Sequence, residues 1–362
     1  MRKVSGIIAA AALVASVALV GPAANAGETI AGAGSSYMSA IQKVCAAAYT
    51  AHTVTYSPDG SGTGKTKFAA GTTQFGGSDS LYAPGTEPAN FTYVPLVGGP
   101  IGIIFNVDGL TNVNLTPKLI SAIFLGKITK WNDAAIAKVN KASASKLPDA
   151  QIQIVYRSGT SGTNENLSEY LRQNVTTAGW TKNQTITTAA GALATGSVGK
   201  ATSALLADAV ESSANKGAFG YFDLSDAKTA NVSLVSLKNK HGEFVAPSAS
   251  AGALFLNAQT TDNSGSDRVQ GTATANLPAA LGGTVNGVID FTKSVKNAYQ
   301  LTILTYGIGD NASTDAADVA VEDFFKFVIN TCMPAQASRL GYVALTGSLK
   351  TKALAQAARI AQ

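Results

Sequence analysis

Tyr156-Arg157-Ser158-Gly159-Thr160-Ser161-Gly162-Thr163 follows an alternating apolar stretch, Ile152, Ile154 and Tyr156, and precedes Asn164-Glu165-Asn166-Leu167-Ser168-Glu169-Tyr170-Leu171. Leu167, Tyr170 and Leu171 stand at helical spacing, so the pattern predicts a strand, a short polar loop and a helix. A helix start carries unpaired N–H groups and a partial positive charge, which together attract an anion. Arg157 adds a fixed charge and a planar fork that suits phosphate or carboxylate oxygens. A capped helix after a polar turn is the plainer reading of this stretch alone.

The chain repeats the design twice. Thr29-Ile30-Ala31 reads as a strand, followed by Gly32-Ala33-Gly34-Ser35-Ser36-Tyr37 and a helix with Ile41, Val44, Cys45 and Ala48 on one face. This is not a dinucleotide fingerprint, because Tyr37 stands where the third glycine belongs and no matching acid follows. Val54 and Tyr56 alternate into Ser57-Pro58-Asp59-Gly60-Ser61-Gly62-Thr63-Gly64-Lys65-Thr66. That loop ends like a nucleotide-binding P-loop, but Asp59 replaces its first glycine and would sit badly beside a triphosphate. It can still offer hydroxyl and backbone donors to a smaller anion. Gln74-Phe75-Gly76-Gly77-Ser78-Asp79-Ser80 places an aspartate in a glycine-serine setting. Such a residue is usually a turn former; beside an anion site it makes sense only if the ligand has a proton to donate.

Residues 1–26 read as a secretory leader, with Arg2 and Lys3 at the start, an apolar run Ile7–Val20 and a small-residue site Ala24-Asn25-Ala26. Processing there would place Gly27 first, in a periplasm, a wall space or outside the cell, with no cysteine nearby for a lipid anchor. The full chain has 27 Lys and Arg against 22 Asp and Glu, a net of +5. Loss of Arg2 and Lys3 leaves 25 against 22, a net of +3, with no basic block of the kind that nucleic acid or an anionic membrane requires. Cys45 and Cys332 are the two cysteines. In an oxidising compartment they pair or remain two buried thiols.

Taken together, Gly32–Tyr37, Gly60–Gly64, Phe75–Asp79 and Arg157–Thr163 resemble, in order and spacing, the phosphate-binding proteins of Pst-type bacterial ABC importers and their secreted DING-like relatives. Leu115–Asp133, Gly217-Ala218-Phe219-Gly220-Tyr221 and Leu340–Leu345 extend the likeness over most of residues 29–236 and 300–356. The resemblance implies an α/β, two-lobed periplasmic-binding-protein fold, type II-like, with a ligand cleft between the lobes and a hinge of two crossings. It implies phosphate held by Ser36, Tyr37 and Ser61 from one lobe and by Arg157, Ser161, Gly162 and Thr163 from the other, with Asp79 accepting the proton of hydrogen phosphate. The implied partner is a membrane permease, the implied state a monomer, and no cofactor, metal or catalytic residue is expected. Many family members carry an aspartate two residues after the arginine; here that position is Gly159, which makes Asp59 a candidate substitute.

Crossings are expected at Tyr93–Gly99 and Leu301–Thr305. They give lobe one as 27–96 plus 303–362 and lobe two as 97–302. Both cysteines then fall in lobe one, which favours a Cys45–Cys332 disulfide. Residues 237–298 carry no strong motif. Two other classes compete. A hydrolase lacks support, since His52 and His241 form no metal set and Gly159-Thr160-Ser161-Gly162-Thr163 lacks the final glycine of a nucleophile elbow. A surface or adhesive protein that has kept the fold would not need the full set of anion-site residues.

Overall fold

The structure is a computed structural model and describes residues 27–83, 86–212, 214–227, 230–259 and 289–362. The expected leader, residues 1–26, lies outside the described residues, as does the 260–288 part of the segment without motifs.

Strands β1 (Thr29–Gly34), β2 (Thr53–Ser57), β3 (Phe75–Ser78), β4 (Thr92–Asn106), β5 (Asn112–Leu115), β6 (Gln153–Arg157), β7 (Val198–Lys200), β8 (Ala218–Asp223), β9 (Ser233–Lys238), β10 (Phe244–Val245) and β11 (Thr302–Gly309) run in the order β2-β1-β3-β11-β4-β8-β6-β7, with β9 joining β4, β5 and β10. Among the described residues twelve α-helices alternate with them: α1 (Ser39–Ala48), α2 (Ser61–Ala69), α3 (Pro117–Phe124), α4 (Ala134–Val139), α5 (Gly162–Asn174), α6 (Ile186–Ala190), α7 (Ser203–Glu211), α8 (Leu224–Ala227), α9 (Ala249–Ala258), α10 (Ala316–Phe327), α11 (Met333–Leu340) and α12 (Gly347–Ala357). Alternation of this kind gives parallel pairs such as β1–β2, β1–β3 and β6–β8, each linked through a helix.

β4 joins the two halves of the strand order. Its first part, Thr92–Pro100, lies antiparallel to β11, and its second part, Ile101–Asn106, lies antiparallel to β8. It is buried along all but its last residue, which is why it reads as a nearly continuous apolar run. Two prolines inside a central strand are unusual, because proline cannot donate to the ladder. Here Pro95 faces Tyr306, where the register with β11 shifts, and Pro100 ends the pairing with β11. Both prolines therefore fall where the ladder is already interrupted.

The helix signals hold locally. Thr116 caps α3 by accepting the Leu119 N–H, and Pro117 occupies the first turn, where its missing N–H costs nothing. Leu167, Tyr170 and Leu171 are fully buried on α5, as their spacing predicts. α1 differs from expectation: Ala48 is exposed and Val44 only half-buried. The buried stripe runs instead through Met38, Ile41, Gln42 and Cys45, because the helix is turned to place Cys45 against Cys332.

That pair forms a disulfide between residues 287 apart in sequence. Chain-entropy bookkeeping for so long a loop gives about 6 kcal/mol, with about 2–5 kcal/mol usual when a native bridge is removed. The double variant Cys45→Ala, Cys332→Ala should therefore unfold in urea with stability lower by about 3–5 kcal/mol. An unchanged midpoint would show that the bridge adds nothing to the fold.

Candidate functional site

Three helix starts meet at one place. α1 follows β1, α2 follows β2 and α5 follows β6, so three helix starts follow the C-terminal ends of strands. Glycine permits the approach. Gly34 has φ +144°, and a Cβ on it would lie 2.0 Å from the Gly77 carbonyl oxygen. A Cβ on Gly64 would stand 2.4 Å from Gly34 Cα, so α2 rests directly on the β1 backbone. The Gly60–Gly64 run thus serves close packing and the entry into α2, where Gly60 has φ +101°.

Asp79 lies at the bottom of this region, 5% exposed. Its Oδ1 accepts from Ser35 Oγ at 2.5 Å and Thr305 Oγ1 at 2.7 Å, and its Oδ2 accepts from Ser61 Oγ at 3.2 Å. Burial pushes its pKa up to about 6, against the pull of these hydroxyls and of Arg157. Thr305 reaches the carboxylate beside the β11 register shift, the kind of irregularity that re-aims a side chain. Neither Ser35 nor Thr305 stood out in the sequence. Ser35 lies inside a quoted motif, but nothing local marks Thr305, which comes 226 residues after Asp79.

Arg157 closes β6 and is 3% exposed. Its Nη1 donates to Ser203 Oγ at 3.3 Å and to Ser36 Oγ at 3.5 Å, and the two hydroxyls stand 3.1 Å apart. Its Nε is buried without a partner among the described residues. The loop after it is fixed from below. Asn164 Nδ2 donates to the carbonyls of Arg157, Gly159 and Gln184, while Tyr221 Oη donates to Asn164 Oδ1 at 2.5 Å. Ser203 at the start of α7 and Asn164 were not expected from sequence; Tyr221 was noted only as part of the Gly217–Tyr221 likeness.

The start of α5 presses on the other side. A Cβ on Gly162 would fall 2.6 Å from Asp79 Cβ and 2.7 Å from Ser61 Oγ, so only glycine lets the helix end approach the carboxylate. Thr163 Oγ1 is buried and unpartnered among the described residues. Ser161 precedes the helix with no side-chain cap bond, and its N–H donates to the Gln184 carbonyl at 3.1 Å. Tyr37 N–H donates to Ser35 Oγ at 3.1 Å, because a buried N–H needs an acceptor within the chain. Ser36, Ser61, Asp79, Arg157, Gly162 and Thr163 are thus gathered around one point, and the N–H groups of Tyr37 and Ser161 have intramolecular acceptors.

Asp59 does not serve Arg157. Its carboxylate pairs with Lys67 Nζ at 2.5 Å and its side chain is 32% exposed, because it lies before the Gly60 turn and folds back along α2. The carboxyl that acts most strongly on Arg157 is Asp223. His52 is also elsewhere: its Nδ1 accepts the Glu28 N–H at an exposed edge. Among the described residues no cluster of His, Cys, Asp or Glu could hold a metal ion, and no helix is long and apolar enough to cross a membrane.

Residues 20–327 match the PBP superfamily domain. The chain is 32% identical over 328 residues to the phosphate-binding protein PstS of Xylella fastidiosa, covering 88% of this chain and 82% of the relative. The chain belongs to the PstS family of phosphate-binding proteins. PstS of Pasteurella multocida is 34% identical over 244 residues, 64% of this chain and 67% of that protein. The fold is also that of a high-affinity periplasmic phosphate-binding protein solved with phosphate bound, at TM-score 0.70 and 21% identity over 90% of this chain and 93% of that one. Family membership and this likeness establish the two-lobed architecture.

The raised pKa of Asp79 has a sign that stability measurements read. The folded protein holds its proton up to about pH 6, whereas the ordinary value is 3.8. Stability is therefore lost as pH rises from about 4 to about 6, by ~3 kcal/mol at about 1.4 kcal/mol per unit. In ligand-free protein, Asp79→Asn should gain that amount over the parent between pH 4 and pH 7.5 in urea unfolding. An equal difference at the two pH values would show an unstrained carboxylate.

Proposed function

We propose that the protein binds inorganic phosphate, as hydrogen phosphate, outside the cytoplasm and delivers it as a monomer to the permease of an ABC importer. Lobes of residues 27–96 plus 303–362 and 97–302 close on the anion, in the hinge manner usual for ligand clefts between domains. Ser36, Tyr37 and Ser61 contribute from one side. Arg157, Ser161, Gly162 and Thr163 contribute from the other. The relatives named above are described as binding proteins, and the reading assigns this chain no catalysis.

The observation that carries this reading is a carboxylate and a guanidinium buried together at a helix start. Arg157 and the first turn of α5 call for an anion, and the unpartnered Arg157 Nε and Thr163 Oγ1 are donors for one. Asp79, buried with them, can only accept once ionised. An anion that fits must bring its own proton to that side. Hydrogen phosphate does so, and fully ionised sulfate does not. Sulfate would set oxygen against carboxylate in a dry site, at a cost of about 1–3 kcal/mol or more for charged groups.

Calorimetric titration of ligand-stripped protein at neutral pH should show tight one-to-one phosphate binding and no sulfate signal. Arg157→Ala should weaken phosphate by about a hundredfold or more, the loss of a charge-assisted contact of about 3 kcal/mol. Asp79→Asn should narrow the phosphate-to-sulfate ratio. Sulfate bound as well as phosphate by the parent protein would overturn the reading.

A further inference from the structure

Two side-chain amides connect the segment around Asp79 to the start of α5, and neither belongs to the set of anion ligands. Asn166 lies on α5, four residues after Gly162. Its Nδ2 donates to the Asp79 carbonyl at 2.7 Å and to the Gly162 carbonyl at 2.9 Å. Gln184 lies just before α6, and its Nε2 donates to Ser80 Oγ at 2.8 Å. Both amides are half-buried. With the lobes divided as proposed above, Asp79 and Ser80 belong to lobe one, and Asn166 and Gln184 belong to lobe two.

Each amide is anchored to the unit that would hold the anion. The Gln184 carbonyl accepts the Ser161 N–H at 3.1 Å and Asn164 Nδ2 at 2.9 Å, so its backbone fixes the loop after Arg157 while its side chain reaches Ser80. Asn166 rides on the helix whose first residues are Gly162 and Thr163. The receiving side is fixed as well. Ser80 is 3% exposed, and its Oγ also accepts from Lys65 Nζ at 3.2 Å, which donates to the Leu81 carbonyl at 2.6 Å. The faces between these bonds pack closely: a Cβ on Gly62 would lie 2.6 Å from Thr160 Oγ1 and 3.0 Å from Gln184 Oε1. Two carbonyls, of Asp79 and Gly162, converge on one Asn166 amide group, so drawing the two backbones apart breaks one of its bonds.

We propose that Asn166 and Gln184 are positioning residues that hold the two lobes together over the bound anion and so set how long phosphate stays. The inference rests on the proposed phosphate site. With the lobes apart, water serves the Asp79 carbonyl and the Ser80 hydroxyl. With the lobes together these groups are dry and need donors from the chain itself. Loss of an amide therefore penalises the closed form alone. Phosphate enters the open form, so its association does not sense the amides, whereas its release does. The two amides differ in what they face. Asn166 faces carbonyls, which only accept; Gln184 faces a hydroxyl, which can turn and donate. Replacement by the isosteric acid separates them.

The test is a chase of bound radiolabelled phosphate with excess unlabelled phosphate at neutral pH, beside titration of the same ligand-stripped proteins, so that release and association rates are both known. Asn166→Ala should release phosphate about tenfold faster, with association within about twofold of the parent. Asn166→Asp should release it about a hundredfold faster, because a carboxylate would then face two carbonyls. Gln184→Ala should also release faster, whereas Gln184→Glu should stay within about threefold of the parent, since the Ser80 hydroxyl can donate to it. The preference for phosphate over sulfate should be the same in all four, because Asp79 keeps its carboxylate. Parent-like release from Asn166→Asp, or a loss carried by slower association as from a deformed site, would overturn the proposal. The Gln184 variants give a measurement that does not need the Asn166 variants to fold: equal release from Gln184→Ala and Gln184→Glu would overturn it too. Absence of phosphate binding by the parent would overturn the phosphate reading itself, which is distinguishable from binding whose release ignores both amides.

Discussion

Arg157 must be charged and must be dry, and the arrangement around it follows from meeting both demands. A buried guanidinium without acceptors is costly, and removing one partner from a buried charge set costs several kcal/mol. The protein meets this with Ser36 and Ser203 on Nη1, while Asp223 and Asp79 act on it as opposite charges. Holding those groups in place requires β1, β3, β6, β8 and β11 to deliver their ends to one region. The order β2-β1-β3-β11-β4-β8-β6-β7 does this, with β4 as the long central strand that pairs with β11 along its first part and with β8 along its second.

Close approach is the second constraint. Gly34, Gly64 and Gly162 stand where a single methyl group would collide with backbone or with Asp79 itself. A site for a small anion has to be narrow, because oxygen acceptors are reached by backbone N–H groups and short hydroxyls only over hydrogen-bond distances. The glycines and serines that dominate the loops follow from that geometry more than from any need for flexibility. Asn164 shows the same economy: one side-chain amide holds three carbonyls of the loop, and Tyr221 holds Asn164.

Much of this arrangement was legible in the sequence because strand–loop–helix junctions are local. Arg157, Ser161, Gly162 and Thr163 lie within seven consecutive residues, and Ser36, Ser61 and Asp79 each end or follow a readable strand. What could not be read depends on contacts made across the fold. Thr305 reaches Asp79 through a shift in pairing that no local pattern encodes, and Ser203 begins an ordinary-looking helix. The sequence offered Asp59 as the acid for Arg157 because it lay near in the chain to Ser61. The residue acting on Arg157 is Asp223, brought there by the β6–β8 pairing. Of the expected stripe on α1, Ile41 and Cys45 stay buried while Val44 and Ala48 do not, because a disulfide, not an apolar face alone, sets the rotation of that helix.

The Cys45–Cys332 bridge also changes what a broken chain would be. It joins α1 to the segment that leads into α11, so nearly everything between, including the whole of β4 to β11, belongs to one covalently closed ring. Proteases cut most readily at long exposed connections. A single cut anywhere between residues 45 and 332 opens the ring without releasing a fragment. The two pieces remain linked through the bridge, so a nicked molecule stays one particle as long as the surroundings are oxidising. In a reducing compartment the same cut would leave only non-covalent packing to hold the halves together.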